Sequence, residues 1–325
     1  MEAGYRALRE GAAWLDLSGR GKILIRGADR ARLLHALCTN HVQQLAPGQG
    51  CYAFFLNAQG HILADAIVLC FEDHFLLDTE PETASKLQAH IDRYIIADDV
   101  TLEDATSALA TLALEGPRAG AILASLGAPA PAEAFGHARW NTALVVRASA
   151  TGGEGFRLIA PATEKPALVA ALEGAGALFA GPAEAFIVRL EHGKPRYGDD
   201  ITEQHLPQET QQWHAVHFNK GCYLGQEIVE RIRSRGHVNR VLVQLEIDGA
   251  DVPDRGTSVS AGGALVGQIT SAAFSPALGK AVALAYVRTA HAAAGSLLDC
   301  EGRTARVAAL APEARSECVE HAPRN

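Results

Sequence analysis

Two textures meet at Arg240, and their junction constrains the fold more than any other feature of the chain. Beyond it, residues 241–247, 257–260, 265–271 and 280–287 read as strands. They are rich in β-branched and apolar residues and are separated by Gly, Pro and Asp with little helical periodicity. Strands this short and closely spaced bury their apolar faces by closing as a small β-barrel or sandwich, expected over 241–310. From Ala311 the chain is charged and short of apolar residues, so 311–325 is expected to be a frayed tail.

Before the junction, helices and strands alternate irregularly. Residues 22–26 read as a strand ended by Gly27, and Asp29 is placed to cap a helix carrying Leu33, Leu34, Leu37 and Cys38 on one side. Pro47-Gly48 breaks the chain. Residues 51–56 and 61–69 form two strands around the turn Asn57-Ala58-Gln59-Gly60. A short strand is expected at 75–77. Thr79 and Glu82 have capping-box spacing, which predicts a helix to about Tyr94. Strands near 100, 111–114, 144–147 and 156–160 are interleaved with helices at 117–126, 163–172 and 182–191. Short mixed units with tight hairpins give an α+β class rather than a doubly wound sheet.

The 325 residues suffice for two or three domains, and 48% hydrophobic with 20% charged residues is ordinary for a globular chain. No apolar run reaches the ~18 residues of a membrane span, and residues 1–16 lack a secretory apolar stretch, so a cytoplasmic protein with no membrane partner is expected. The six cysteines are scattered without C-x-x-C, and the thirteen histidines show no H-E-x-x-H, so no metal site is expected. His214 and His217, three apart, read as structural. The net charge of −8 argues against direct nucleic-acid binding. Lys220, Arg231, Arg233, Arg235 and Arg240 nevertheless cluster against only Glu227 and Glu230. That cluster reads either as a site for a small polyanion or as a solvated charged face.

Within it stands Lys220-Gly221-Cys222-Tyr223-Leu224-Gly225-Gln226-Glu227. This octet resembles the signature of the YgfZ type of folate-binding protein, within the aminomethyltransferase-like superfamily that includes the glycine-cleavage T-protein. Leu37-Cys38-Thr39-Asn40 with Gly50 and Tyr52, Leu56 to Gly60, Ile62 to Asp65, and Gly267 to Ser271 with Phe274 to Lys280 resemble other parts of the superfamily in the same order. The resemblance covers about 20–300. It implies a three-lobed fold, two related α+β lobes and a C-terminal β-barrel around a central folate hole. The lobes are expected to interleave within 1–240, roughly 1–48 with 142–240, and 49–141.

The same resemblance implies tetrahydrofolate as the cofactor. Its pterin edge of N–H donors suits a carboxylate, and its glutamate tail suits Arg. Glu191, in Arg189-Leu190-Glu191-His192-Gly193, looks like the pterin-binding acid, and Tyr197-Gly198 fits that stretch. Glu191 reads otherwise as a polar residue ending a helix. Arg235 and Arg240 are candidates for the tail, with Gln226 and Glu227 of the octet beside them. Asp65 survives where T-proteins carry two adjacent aspartates, the other position being Ala64. It stands either as a folate contact or as a turn carboxylate. Cys222 is the candidate reactive thiol, with Lys220 two residues away expected to favour its thiolate. Gly221 and Gly225 permit an exposing loop. The octet favours a tetrahydrofolate-binding accessory protein that serves iron–sulphur client or assembly proteins. Glu191 and Tyr197-Gly198 keep open a folate-dependent aminomethyltransferase. A third, weaker reading is a binding module attached to a flavin amine oxidase.

Overall fold

The computed structural model describes residues 2–236 and 238–308; the side chains of Glu2 and Arg235 lie outside the described set, as do the expected tail and Cys318. Three β-structures organise the chain. The first is a five-stranded sheet in the order Gly50–Leu56, Ile62–Cys70, His74–Thr79, Gly21–Arg26 and Thr101–Asp104, antiparallel throughout. The second has six strands, in the order Leu178–Phe179, Ala13–Asp16, Leu109–Glu115, Gly155–Pro161, Ala143–Val146 and His137–Trp140. The third is a closed barrel of Arg240–Ile247, Lys280–Arg288, Ala264–Ser275, Ser258–Ala261, Leu297–Cys300 and Arg303–Val307. Closure removes the free edges that strands this short would otherwise expose.

Strand alternation decides which residues face which neighbour. On Ile62–Cys70, Ala64, Ala66, Val68 and Cys70 enter the core of the first sheet, under the helices Arg30–Leu37 and Ala84–Asp92. Ile67 and Leu69 point the other way and pack with Leu144, Val146 and Ile159 of the second sheet. The two sheets therefore meet face to face, and Asp65 lies on the face turned toward that junction. The helix Pro182–Glu191 joins the barrel through Leu190, which packs with Leu242, Val282 and Leu284.

Several expectations need correction. Thr79 opens no helix: it remains in strand, paired with Gly21 and Ala66, and its hydroxyl donates to the Asp65 carbonyl. A 3-10 turn, Pro81–Thr83, precedes the helix instead. Asp29 precedes its helix without capping it; its carboxylate accepts from the Asp99 N–H at 2.9 Å and from Arg32 at 3.3 Å. The lobes do not divide as 1–48 with 142–240, because Gly21–Arg26 is hydrogen-bonded between His74–Thr79 and Thr101–Asp104. Only Ala13–Asp16 of that N-terminal stretch joins the second sheet. The strands His137–Trp140, Leu297–Cys300 and Arg303–Val307 and the helix Gln226–Arg235 were not anticipated. Among the described side chains of that helix only Val229 is fully buried, so its apolar period is too sparse to stand out from the charge around it.

Candidate functional site

Three buried polar atoms without a partner, on Asp65, Arg157 and His214, belong to one neighbourhood. Asp65 pairs across the ladder with Phe54, which makes Tyr52 its diagonal neighbour. Tyr52 donates its hydroxyl to Asp65 Oδ2 at 2.6 Å, while Oδ1 is buried with no partner. Burial and the nearby Glu80 charge push the Asp65 carboxyl up to about 6, against the opposing effects of Tyr52, Arg20 and Arg157. That places its proton exchange close to neutrality.

An ion-pair lattice supports this carboxyl. Asp78, on the neighbouring strand, accepts from Arg20 Nε at 2.6 Å and from Arg157 at 2.5 Å. Burial alone would raise Asp78, but the two guanidinium groups overcome it and hold the carboxyl down to about 2. Arg20 also pairs with Glu80, which Arg196 reaches at 3.0 Å. The lattice thus ties the first sheet to Arg157 of the second. One of its donors, Arg157 Nε, is buried and unmatched.

Aromatic rings flank the same place. Tyr52 stacks against His214 with centroids 5.2 Å apart and faces Phe135 at 6.4 Å. Phe135 holds a left-handed φ of +60° to present its ring there. His214 Nδ1 is a further buried atom without a partner, and burial followed by the charge of Lys194 lowers this imidazole to about 4. Burial likewise lowers Lys194 to about 8. Tyr52, Lys194 and His214 are strongly desolvated, yet each retains partial exposure. The exposed portions of these side chains, with that of Phe135, outline a candidate opening beside Asp65. Its walls combine flat apolar rings with a few unmatched polar atoms, the usual character of a small-molecule site.

Of the residues singled out from the sequence, Asp65 lies at this opening. Tyr197 braces it from behind, donating to the Leu63 carbonyl at 2.7 Å and accepting from Lys86 at 3.1 Å. Both oxygens of Glu191 are engaged within the protein. This carboxylate accepts from Tyr5 at 2.5 Å, Ser275 at 2.6 Å and Arg9 at 2.6 Å, riveting the N-terminal helix to the barrel. Lys220 does not serve Cys222. Its Nζ is buried and donates to the carbonyls of His35, Cys38 and Asn40 at 2.7, 2.6 and 2.7 Å.

Cys222 itself is exposed, unlike Cys38, Cys51, Cys70 and Cys300. Its loop is seated on the hairpin turn by two glycines. A Cβ on Gly225, whose φ is +82°, would stand 2.7 Å from the Asn57 carbonyl, and one on Gly60 would stand 2.9 Å from Ile228. The thiol therefore rides on the hairpin that carries Asp65. Gln226 accepts from the Tyr223 N–H at 3.4 Å, and Glu227 is exposed on the first turn of the helix. Arg240 is held by Glu209 at 3.0 Å and the Gln204 carbonyl at 3.1 Å. Arg233 is held by Glu230 at 2.9 Å, so the basic cluster is largely paired, with the Arg235 side chain outside the described residues. His214 and His217 part company, the first stacking on Tyr52 and the second meeting His41 edge-on at 5.1 Å.

Arg157, Lys194, His214 and the role of Tyr52 were missed. Only Tyr52 lies on the same hairpin as Asp65, and the bulge at Phe55/Leu56 sets the register that makes it diagonal. The other three come from distant segments.

Residues 1–220 match the GCVT N-terminal domain, and residues 240–312 match the glycine cleavage T-protein C-terminal barrel domain. The chain belongs to the glycine cleavage T-protein family. It is 34% identical over 295 residues to an aminomethyltransferase of Rubrobacter xylanophilus, covering 88% of this chain and 79% of that one. With an aminomethyltransferase of Streptomyces coelicolor the identity is 33% over 306 residues, covering 89% and 82%. The crystal structure of the glycine cleavage system aminomethyltransferase T from Bartonella henselae superposes with a TM-score of 0.86 at 25% identity, covering 94% of this chain and 88% of that one. The α+β architecture expected from the sequence, two sheet lobes with a closed barrel, is thus the architecture of the T-protein family. Among the described residues no helix is long and apolar enough to cross a membrane.

Proposed function

We propose that this protein binds tetrahydrofolate in the opening at Asp65 and performs aminomethyltransferase-type one-carbon transfer. The observation that carries the reading is the Asp65 carboxyl, with one oxygen held by Tyr52, the other buried and unmatched, and its proton exchange raised to about 6. A pterin fits such surroundings on chemical grounds. Its ring is flat, as the walls of Tyr52, Phe135 and His214 require, and its N–H edge offers donors that a carboxylate accepts. Tetrahydrofolate would supply the nucleophilic nitrogens that take up the one-carbon unit. Asp65 would orient the ring and hold or release a proton at Oδ1 beside it. The stretch that resembled a pterin-binding motif supports the site differently: Tyr197 braces the hairpin, and Lys194 lines the opening. The names of the relatives favour this reading over the accessory role that the octet suggested.

The test is calorimetric titration of the purified protein with tetrahydrofolate under anaerobic conditions, followed by turnover with ammonia and an aminomethylated lipoyl carrier protein. Saturable binding that Asp65→Asn weakens, with turnover it abolishes, is expected. Binding without turnover would leave the transferase reading without support.

A second reading rests on the exposed Cys222 in its glycine-seated loop. It makes the protein a YgfZ-type folate-dependent accessory to iron–sulphur client or assembly proteins. Under it, Cys222→Ser would fail to complement a deletion strain under oxidative stress while leaving folate binding intact. Complementation by that variant would dismiss it.

A further inference from the structure

The lysines of this chain divide by how their ammonium groups are satisfied. Lys220 donates to three carbonyls, and Lys22 to the carbonyls of Ser18 and Arg20. Lys86, Lys165 and Lys280 each meet a carboxylate. Lys194 alone among the described residues has a single acceptor, the Ser149 carbonyl at 2.6 Å, and no acid partner. An ammonium has three N–H donors, so two are uncommitted in a desolvated place. A largely desolvated group of that kind is costly unless something accepts from it.

The surroundings explain why no protein group does so. Glu115 is the nearest acid by its influence on Lys194 from the second sheet, but its oxygens are taken by Ser149 Oγ, the Ala150 and Thr151 N–H groups and Thr151 Oγ1. Arg157 faces Lys194 from the adjoining strand, Arg20 and Glu80 from the first sheet, and His214 from the loop beyond. Arg20 and Arg157 are cations, Glu80 is paired with Arg20 and Arg196, and His214 is stacked on Tyr52. Arg157 Nε is a further unmatched donor in the same group. Among the described residues only the Ser149 carbonyl accepts from Lys194, and the unmatched His214 Nδ1 makes no bond to it.

We infer that Lys194 is a ligand-binding residue of the opening and donates to the ring carbonyl oxygen of an oxo-pteridine. The inference rests on the folate reading and specifies which pteridines the site takes: those bearing a carbonyl oxygen rather than an amino group at that ring position. The ammonium form is the donor and is present below about pH 8. Affinity is therefore greatest below that value and falls as pH rises through it.

The experiment measures dissociation constants of the parent, Lys194→Met and Lys194→Arg for 5-formyltetrahydrofolate and for the 2,4-diaminopteridine methotrexate between pH 6.5 and 9.5. One charge-assisted hydrogen bond corresponds to a weakening of about tenfold or more. The parent is expected to lose about that much affinity for 5-formyltetrahydrofolate as pH passes 8. Lys194→Met should start weaker by the same factor and show no such dependence. Lys194→Arg, whose charge does not titrate, should hold its affinity to pH 9.5, and it carries the test if the methionine variant melts early. Methotrexate binding should be indifferent to the methionine change. Parent binding that Lys194→Met leaves unaltered, equal losses for both ligands, or an unchanged pH decline in Lys194→Arg would each overturn the role of Lys194 alone. No saturable binding by the parent at any pH would overturn the folate reading and this inference with it.

Discussion

Lys220→Met separates the structural account of the octet from the one its sequence suggests. Lys220 Nζ gathers the carbonyls of His35, Cys38 and Asn40 at the end of the helix Arg30–Leu37, where the last turn leaves carbonyls without intrahelical partners. Hydrogen bonds to a charged donor are worth roughly 1.5–3 kcal/mol each. Methionine would fill the volume but leave three acceptors unmatched, and relief of the ammonium's own desolvation would return part of the loss. A net destabilisation of about 3–5 kcal/mol follows, in the range for breaking a buried charged network. For a chain of this length that corresponds to a fall in Tm of roughly 4–7 °C. Melting by calorimetry reads the stability. The rate of maleimide labelling at Cys222, taken as the difference from Cys222→Ser so that Cys318 cancels, reads the thiol. The expected result is early melting with labelling of the folded state little changed. A variant that melts within a degree of the parent and labels tenfold more slowly would show that Lys220 serves the thiol, and the reasoning would be refuted.

Other expectations follow from the buried acids. Asp65→Asn should stabilise the protein at pH 7.5 by up to about 3 kcal/mol, because an acid whose folded pKa lies above its unfolded value is penalised when ionised. That gain should disappear between about pH 6 and pH 4, as the parent takes up its proton; a gain independent of pH in denaturant titrations would contradict it. Asp78→Asn should cost about 3–5 kcal/mol at pH 7 by leaving Arg20 and Arg157 without their shared carboxylate. Since Asp78 is depressed to about 2, its contribution is present above its unfolded pKa, and the gap between variant and parent should narrow as pH falls from about 4 towards 2. Tyr197→Phe should cost about 1 kcal/mol, read in the same titrations, through loss of its bond to the Leu63 carbonyl.

Local patterns in this chain were legible wherever one short segment carried the whole signal. The hairpin around Asn57 to Gly60, the helix Pro182–Glu191 and four barrel strands appear close to where alternation, turn residues and helical period place them. The resemblance that ran through the motifs named the right superfamily and fold. It also led to roles for residues whose side chains have other partners in this structure. Glu191 sits in a motif read as pterin-binding, but its oxygens are closed off by Tyr5 and Ser275, residues 186 and 84 positions away in the chain. Lys220 stands two residues from Cys222, but its amine turns inward to three carbonyls while the thiol remains outside.

By itself, then, the sequence determined many of the segments that become helix or strand, that a small all-β unit follows Arg240, and that a carboxylate at 65 follows a tight turn. These are properties of periodicity and backbone preference, which act over a few residues. Tertiary structure alone decided that Asp65 shares an opening with Tyr52, Phe135, Lys194 and His214, and that Glu191, Lys220 and Arg240 are committed elsewhere. The physical reason is that charge and hydrogen-bond capacity are assigned by whichever partners packing brings within about 3 Å. Those partners come from segments that no local pattern relates.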